Sequence, residues 1–197
     1  SGSRVLDLGF GCAAVASRLK PHGAVIDGID RDAAAVEENR PIFSKVYLKD
    51  MNDLDAVGLE GKYDIVLCAD ILQYLVDPAD FLSRLKKYMA KGGLLVVAVP
   101  NFVNLSTRLH VLFGSFPLHH RGIMDEKALH FYTDAEFRKF LKRTSWELSE
   151  STVSSLPLFL VFPFLKARLF RPLVLLCRGL TLAMKGLLGY QCIYFCK

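Results

Sequence analysis

The chain has 197 residues, 52% of them apolar and 23% charged, which is enough apolar material for one substantial core. These totals exclude a disordered, collagen-like or disulfide-dominated chain. The formal net charge of +5 comes entirely from residues 151–197, which contain six Lys and Arg residues and no Asp or Glu. Because these basic residues stand among Leu, Phe and Val, we expect no nucleic-acid partner.

Five cysteines are scattered along the chain without a CxxC pair. Cys192 and Cys196 are four residues apart and have no histidine near them, so their spacing does not fit a zinc site. No HxxxH or carboxylate–histidine spacing occurs either, and we expect no metal. An odd, separated set of cysteines is typical of a reducing compartment. We therefore expect a cytoplasmic location.

The first half of the chain alternates strand-like and helix-like segments. The pattern predicts strands at 4–9, 24–30, 45–50, 63–70 and 94–100, and helices at 12–20, 31–39 and 78–90. The strands are continuous apolar runs, which indicates a parallel sheet covered on both faces. Regular alternation of strand and helix predicts an α/β class with a doubly wound sheet.

The pattern changes after Pro100. Residues 101–130 show little periodicity and contain four of the five histidines. Residues 133–144 predict a helix, because Thr133 and Glu136 form a capping box at its start. The last two strands are predicted at 146–154 and 191–197. We expect a single domain over residues 1–197, with an apolar and basic helical insert at about 156–189 between these two strands.

The insert has several interpretations. Its longest uncharged apolar run is ten residues, about half the length of a membrane-spanning helix. One interpretation is a helical cap that packs on the sheet and closes a substrate pocket. Another is contact with an anionic membrane surface or a lipid-linked substrate, since basic residues alternate with apolar blocks. A third is a contact between subunits.

The stretch RVLDLGFGCAAVA, residues 4–16, passes from strand to helix across two glycines. Gly9 and Gly11 let the backbone approach a ligand, and the following helix presents free N–H groups. The spacing loosely fits a dinucleotide site with Asp30 on the ribose, and it also fits a tight turn without a ligand. Asp7 argues against a dinucleotide, because its carboxylate would repel a pyrophosphate. It favours a cofactor that carries positive charge, such as S-adenosylmethionine.

In order along the chain, these motifs resemble those of class I S-adenosylmethionine-dependent methyltransferases. VLDLGFG at 5–11 resembles the first motif of that family, and GIDRD at 28–32 resembles the second. Further matching stretches are Asp50-Met51, YDIVLCADILQYLVDP at 63–78 and YMAKGGLLVVAVPN at 88–101. From 101 to about 150 the chain resembles the subgroup of ubiquinone-biosynthesis-like O-methyltransferases and methyltransferases of cell-surface sugar pathways.

The resemblance implies a Rossmann-like seven-stranded sheet of order 3-2-1-4-5-7-6 with strand 7 antiparallel. It implies S-adenosylmethionine as the cofactor and O-methylation of a small or lipid-linked acceptor. The cofactor-binding residues that it implies are Asp7, Gly9, Phe10, Gly11, Asp30, Arg31, Asp50, Met51 and Ala69.

Some positions depart from the family. The third glycine of the first motif is Ala13. The Glu-His pair that is frequent after strand four is Gln73-Tyr74 here. Ala128 replaces the histidine that often opens the H-x-R-F-F-T entry to the next helix, and His130 stands at its arginine position. The cofactor half of the chain therefore matches the family better than the catalytic half.

Two residues are candidates for a catalytic base or an acceptor contact. His130 precedes a helix, and Tyr74 follows strand four, where open α/β sheets bind ligands. The alternative for His130 is a hydrogen-bonded structural histidine, and for Tyr74 an aromatic lid. The pair His119-His120 is a weaker candidate, because paired loop histidines are most often solvated.

Two other function classes stay open. One is a non-catalytic cofactor-binding or scaffold module of a larger enzyme, which the departures at Gln73-Tyr74 and Ala128 favour. The other is a nicotinamide-dependent oxidoreductase, against which Asp7 and the absence of a Tyr-x-x-x-Lys pair argue. Nucleic-acid methylation is not expected, because no Asn/Asp-Pro-Pro-Tyr motif follows strand four.

Overall fold

The computed structural model describes residues 2–120, 122–155 and 171–197. The strands are β1 (Arg4–Leu8), β2 (Val25–Asp30), β3 (Lys45–Leu48), β4 (Tyr63–Ala69), β5 (Met89–Pro100), β6 (Leu148–Ser154) and β7 (Gln191–Cys196). The helices are α1 (Ala14–Leu19), α2 (Ala33–Asn39), α3 (Pro78–Leu85), α4 (Leu105–Leu112), α5 (Asp134–Arg143), α6 (Arg171–Ala183) and α7 (Lys185–Leu188).

The strands form one seven-stranded sheet of order β3-β2-β1-β4-β5-β7-β6. Strands β1 to β5 pair in parallel, and β7 runs antiparallel to β5 and β6. The predicted α/β class, strand order and antiparallel strand 7 are confirmed. The strand order reverses at β1, which pairs with β2 on one side and β4 on the other. Open α/β sheets bind ligands at the carboxyl ends of the strands that flank such a point.

Apolar side chains cover both faces of the sheet. On one face Leu6 and Leu8 belong to the larger core, together with Phe137 of α5. On the other face Val5 packs in a smaller core that includes Ala16 of α1. All five side chains are at most 1% exposed, so β1 lies in the centre of the molecule and its carboxyl end is rigidly supported.

Some predicted boundaries were wrong. Strand β5 begins at Met89, because this residue pairs with Tyr63 of β4, and α3 therefore ends at Leu85 instead of residue 90. Trp146 precedes β6 instead of belonging to it. Its buried indole N–H donates to the carbonyl oxygen of Leu82 at 3.2 Å, which anchors the chain against α3 before the strand begins.

Helix α4 lies in the region where periodicity was weak. Asn104 caps it by accepting the backbone N–H of Thr107 at 3.0 Å. Thr107 is the only buried residue of the helix, and most of its apolar side chains are exposed. A helix without an apolar buried face has no helical hydrophobic periodicity, which explains why the pattern was weak.

Part of the predicted insert, residues 156–170, lies outside the described residues. Its remainder contains α6 and α7, which lead directly into β7. Within the described parts of the chain, no helix combines the length and the hydrophobicity that crossing a bilayer requires.

Candidate active site

The turn after β1 has a backbone conformation that favours glycine. Gly9, Gly11 and Ala13 have φ angles of 67°, 50° and 50°. A Cβ atom on Gly9 would lie 2.2 Å from Cγ2 of Ile71, whereas one on Gly11 would meet no atom within 4 Å. Ala13 adopts the left-handed conformation at a cost of about 1 kcal/mol. The space beside Gly11 is open, so a ligand can approach its backbone.

Asp30 at the end of β2 holds this turn in place. Its Oδ2 accepts the backbone N–H of Gly11 at 2.8 Å, and its Oδ1 accepts that of Asp32 at 2.9 Å. Asn39 supports the turn from α2, donating from Nδ2 to the carbonyl oxygen of Gly11 at 3.1 Å. Because each carboxylate oxygen has two lone pairs, Asp30 can still accept hydrogen bonds from ligand hydroxyls.

Asp7 is a buried carboxyl group inside β1, with 4% of the residue exposed. Burial, and then the charge of Asp30, raise the pKa of Asp7 to about 7. A cationic group nearby would stabilise the ionised form of Asp7, whereas a phosphate would destabilise it. The electrostatics of this strand end therefore favour a ligand that brings positive charge.

A first cleft of about 160 Å³ opens at the carboxyl ends of β1, β2 and β4. Its walls are Gly9, Asp30, Arg31, Asp50, Met51, Asn52, Asp70, Ile71, Tyr74 and Leu75. The structure thus brings together five of the sequence-predicted cofactor residues, namely Gly9, Asp30, Arg31, Asp50 and Met51. Asp50 also begins the next turn, where its Oδ1 accepts the backbone N–H of Asn52 at 2.9 Å.

A second cleft of about 390 Å³ adjoins the first. Its walls are Gly11, Asp70, Gln73, Tyr74, Pro100, Gly122, Asp125, Tyr190 and Gln191. Asp70 and Tyr74 line both clefts. The hydroxyl of Tyr74 donates to Oδ2 of Asp125 at 2.8 Å. This hydrogen bond joins Tyr74, which lines both clefts, to Asp125, which lines only the second.

Three predicted cofactor residues, namely Asp7, Phe10 and Ala69, are not among the residues that line either cleft. Phe10 packs against Phe43, with ring centroids 4.4 Å apart, in the smaller core. Because the side chain of Phe10 fills the core, its backbone is the part that faces the turn, and the predicted cofactor contact stays a prediction. Ala69 is the last residue of β4 and stands directly before Asp70.

The two catalytic candidates differ in position. The ring Nε2 of His130 lies 2.9 Å from the carbonyl oxygen of Leu75, which can only accept, so Nε2 carries the proton. His130 lines neither cleft; it lines a small cavity of about 10 Å³ that shares Gln73, Pro100 and Gly122 with the second cleft. Tyr74 stands at the junction of the clefts, and burial together with Asp125 raises its pKa to about 12. Tyr74 is therefore a hydrogen-bond donor at neutral pH, and the catalytic roles of both residues stay predictions.

The loop histidines do not reach either cleft. Nδ1 of His120 lies 2.6 Å from Oε1 of Glu126 at the surface, and His119 pairs through its backbone with the segment that begins at Met124. In the part of the chain that the structure describes, no three His, Cys, Asp or Glu side chains are gathered so that they could hold a metal ion.

Asp70 is the residue that the sequence analysis missed. It has a φ of 55° although it is not glycine, and burial raises its pKa to about 6. Its Oδ2 accepts a hydrogen bond from Nε2 of Gln191, while its Oδ1 is buried and has no partner among the described residues. The available signal was an acidic residue directly after the apolar run of β4.

A parallel sheet with one antiparallel strand, a glycine turn after β1 and an acid at the end of β2 defines the class I methyltransferase architecture. Residues 1–151 match a family model described as "Methyltransferase domain". The chain therefore belongs to the class I S-adenosylmethionine-dependent methyltransferases.

The chain is also similar to ubiquinone biosynthesis O-methyltransferases. It is 22% identical over 156 residues to the mitochondrial one of Schizosaccharomyces pombe, covering 76% of this chain and 57% of that protein. It is 27% identical over 124 residues to that of Burkholderia vietnamiensis, covering 58% of this chain and 51% of that protein. The chain thus spans about half the length of the curated relatives that it matches.

Solved structures share the fold. Magnesium protoporphyrin IX methyltransferase from Synechocystis PCC 6803 with bound SAH (S-adenosylhomocysteine) has a TM-score of 0.64 at 19% identity, covering 99% of this chain and 74% of that chain. A SAM dependent methyltransferase from Archaeoglobus fulgidus has a TM-score of 0.63 at 16% identity, covering 100% and 86%. At these identities the likeness shows the fold alone.

Proposed function

We propose that this chain transfers a methyl group from S-adenosylmethionine to an oxygen of a small acceptor. The observation that carries the proposal is the junction of the two clefts at Asp70 and Tyr74, which provides adjoining places for a cofactor and an acceptor. The relatives named ubiquinone biosynthesis O-methyltransferases support oxygen as the methylated atom.

The residues at the first cleft fit S-adenosylmethionine. Asp30 keeps lone pairs for ribose hydroxyls, and Asp50 with Met51 offers an acid and an apolar side chain for the adenine. The open space beside Gly11, which lines the second cleft where the two clefts adjoin, suits the methionine portion. The buried carboxyl group of Asp7 favours the positive charges of the ammonium and sulfonium groups.

S-adenosylmethionine supplies an electrophilic methyl group on a sulfonium, which is a strong leaving group. The chain therefore needs mainly to align the acceptor and exclude water. Asp125 is 4% exposed and is fixed by the Tyr74 hydroxyl and by the backbone N–H of Lys127 at 2.8 Å. Tyr74 and Asp125 thus form a fixed polar wall against which an acceptor can be oriented.

A finer part of the proposal is a lipid-linked acceptor that is reached from an anionic membrane surface in the cytoplasm. Residues 101–124 come directly after Pro100 in the chain, and residues 171–189 come directly before Tyr190; both Pro100 and Tyr190 line the second cleft. Neither segment contains Asp or Glu. Leu112 and Phe113 are 75% and 81% exposed, and several leucines of α6 are also exposed. Segments that are apolar, basic and free of acidic residues suit an anionic bilayer.

Calorimetric titration with S-adenosylmethionine, S-adenosylhomocysteine and NAD tests the cofactor. Binding of the first two without NAD supports the proposal, and binding of NAD alone would contradict it. Transfer of a radiolabelled methyl group to catechol then tests the reaction. Cofactor binding without transfer to catechol or to other hydroxylated acceptors would favour the alternative of a non-catalytic module.

A further inference from the structure

We propose that Asp70 is a catalytic residue that accepts the proton of the acceptor hydroxyl during methyl transfer. This inference rests on the proposed function and concerns the same two clefts. Among the described residues, Asp70 and Tyr74 are the two that line both clefts. The hydroxyl of Tyr74 is engaged with Asp125, so Asp70 is the carboxylate that stands between the cofactor and the acceptor positions.

The backbone holds Asp70 in an unfavourable conformation. A left-handed φ of 55° is uncommon and mildly strained, although aspartate tolerates it better than most non-glycine residues. The conformation is fixed from two sides, because the N–H of Asp70 donates to the carbonyl oxygen of Ala98 at 3.0 Å and its own carbonyl oxygen accepts Nε2 of Gln73 at 2.9 Å. Such strain concentrates at functional sites, where the surrounding structure maintains it. Here its effect is to place the Asp70 carboxylate at the junction of the clefts.

The two carboxylate oxygens of Asp70 have different surroundings. Oδ2 accepts from Nε2 of Gln191, whereas Oδ1 is buried without a partner in the described part of the chain. Gln73 is 3% exposed and lines the same cleft, and its Oε1 also has no partner there. Buried acceptors without donors are costly.

Among the groups that face Asp70, we assign the role of base to Asp70 itself. In the second cleft these groups are Tyr74, Tyr190 and Asp125, and in the first cleft they are Asp30, Arg31 and Asp50. Burial raises the pKa of both tyrosines, so their hydroxyls stay protonated at neutral pH. Burial raises the pKa of Asp70 to about 6, against the opposing effect of the Gln191 hydrogen bond. Asp70 is therefore ionised at neutral pH and basic enough to take a proton.

The proposed step balances without another reactant. A bond forms between the acceptor oxygen and the methyl carbon while the bond between that carbon and sulfur breaks. The bonding pair goes to sulfur, and the hydroxyl proton passes to the carboxylate of Asp70. The positive sulfonium and the negative carboxylate are replaced by a neutral thioether and a neutral carboxylic acid.

Single-turnover transfer of a radiolabelled methyl group to catechol, measured between about pH 5 and pH 9, tests the role of Asp70. The rate should rise with pH, with an apparent pKa of about 6, and then level off. Asp70→Asn should lower the rate by about 100- to 10,000-fold and remove the rise. Gln191→Met keeps Asp70 but removes the hydrogen bond to it, so the rise should move to higher pH.

Controls separate chemistry from folding. Asp70→Asn should bind S-adenosylhomocysteine within about threefold of the unmodified chain, which calorimetry measures. Asp125→Asn, a change of the other carboxylate in the cleft, should raise KM and keep the same rise with pH. The proposal would be overturned if the transfer rate of Asp70→Asn still rose with pH as in the unmodified chain. It would also be overturned if the apparent pKa of the rise were the same in Gln191→Met. Loss of transfer with a chelator and recovery with Mg²⁺ would overturn it too, because Asp70 would then be a metal ligand.

A measurement without turnover distinguishes this proposal from the proposed function. The chain is labelled with carbon-13 at its aspartate carboxyl groups, and the Asp70 signal is assigned with Asp70→Asn. Asp70 is then titrated in the S-adenosylhomocysteine complex, with and without catechol. Catechol should lower the pKa of Asp70, because a donated hydrogen bond stabilises the carboxylate. If the cofactor product binds and catechol has no effect, the role of Asp70 is wrong; if the product does not bind, the proposed function fails instead.

Discussion

The carboxylate of Asp30, at the end of β2, accepts the backbone N–H of Gly11 at 2.8 Å. Gly11 belongs to the turn after β1, so one side chain joins the ends of two neighbouring strands. The other oxygen of Asp30 accepts the N–H of Asp32 at the start of α2. Asp30 therefore shapes the first cleft as well as lining it.

Asp30→Ala should weaken binding of S-adenosylmethionine by about 1–3 kcal/mol, or about 5- to 150-fold, because ligand hydroxyls and the Gly11 N–H lose their acceptor. Calorimetric titration measures the change. Asp32→Asn is the matched control, because Asp32 is exposed and asparagine can still cap α2, where Oδ1 of Asp32 accepts the N–H of Ala34 at 2.9 Å. Equal affinity in the Asp30→Ala variant and the unmodified chain would contradict the role of Asp30.

Two glycines of the same turn should respond differently to alanine. Gly9→Ala should lower the free energy of unfolding by about 2 kcal/mol or more, because its Cβ would overlap Ile71. Gly11→Ala should cost about 1 kcal/mol for its backbone conformation, and it should weaken cofactor binding at least about tenfold because its Cβ would enter the open space. Urea denaturation measures the loss of stability, and calorimetry measures the loss of cofactor binding. If Gly11→Ala bound the cofactor as tightly as the unmodified chain, the open space beside Gly11 would not be the ligand site.

The sequence predicted the sheet because its signal is local. The strand at β4 is a continuous apolar run, and such a run indicates a strand covered on both faces. The start of β5 at Met89 was missed because it depends on pairing with Tyr63 across the sheet. Helix α4 was not recognised from periodicity because its apolar residues face away from the core.

The first cleft was predicted better than the second for a similar reason. Asp30 and Asp50 each end or follow a strand, so their position follows from the strand order. The setting of Asp70 depends on Gln191, which is 121 residues away along the chain. The side chain of Phe10 packs in the core against Phe43, and a motif does not specify that direction.

Asp7→Asn should stabilise the fold in a pH-dependent way. The pKa of Asp7 is raised from 3.8 to about 7, so between these values the folded chain holds more protons than the unfolded chain and stability falls as pH rises. Asparagine at position 7 does not ionise, so the free energy of unfolding no longer falls with pH because of this residue. The gain in the free energy of unfolding should therefore be absent at about pH 4, grow up to about pH 7 and stay constant above it. Urea denaturation across this range measures the gain.

The same variant should bind S-adenosylmethionine less tightly, because the negative charge that favours a cationic ligand is lost. Weaker binding together with higher stability is the expected combination, and calorimetry at about pH 8 gives the affinity. A variant that is less stable at this pH, or that binds the cofactor as tightly as before, would show that Asp7 serves a different purpose in β1.

Membrane contact is tested with vesicles of phosphatidylcholine, with and without phosphatidylserine. The chain should sediment with the anionic vesicles and much less with the neutral ones, and added salt should weaken the binding. Replacing Leu112 and Phe113 by serine should reduce binding about tenfold or more, because both side chains are largely exposed. Val76→Ser is the matched control, since Val76 is 74% exposed and lies outside both segments. If the unmodified chain does not sediment with anionic vesicles, the membrane proposal is wrong and the acceptor reaches the second cleft from solution.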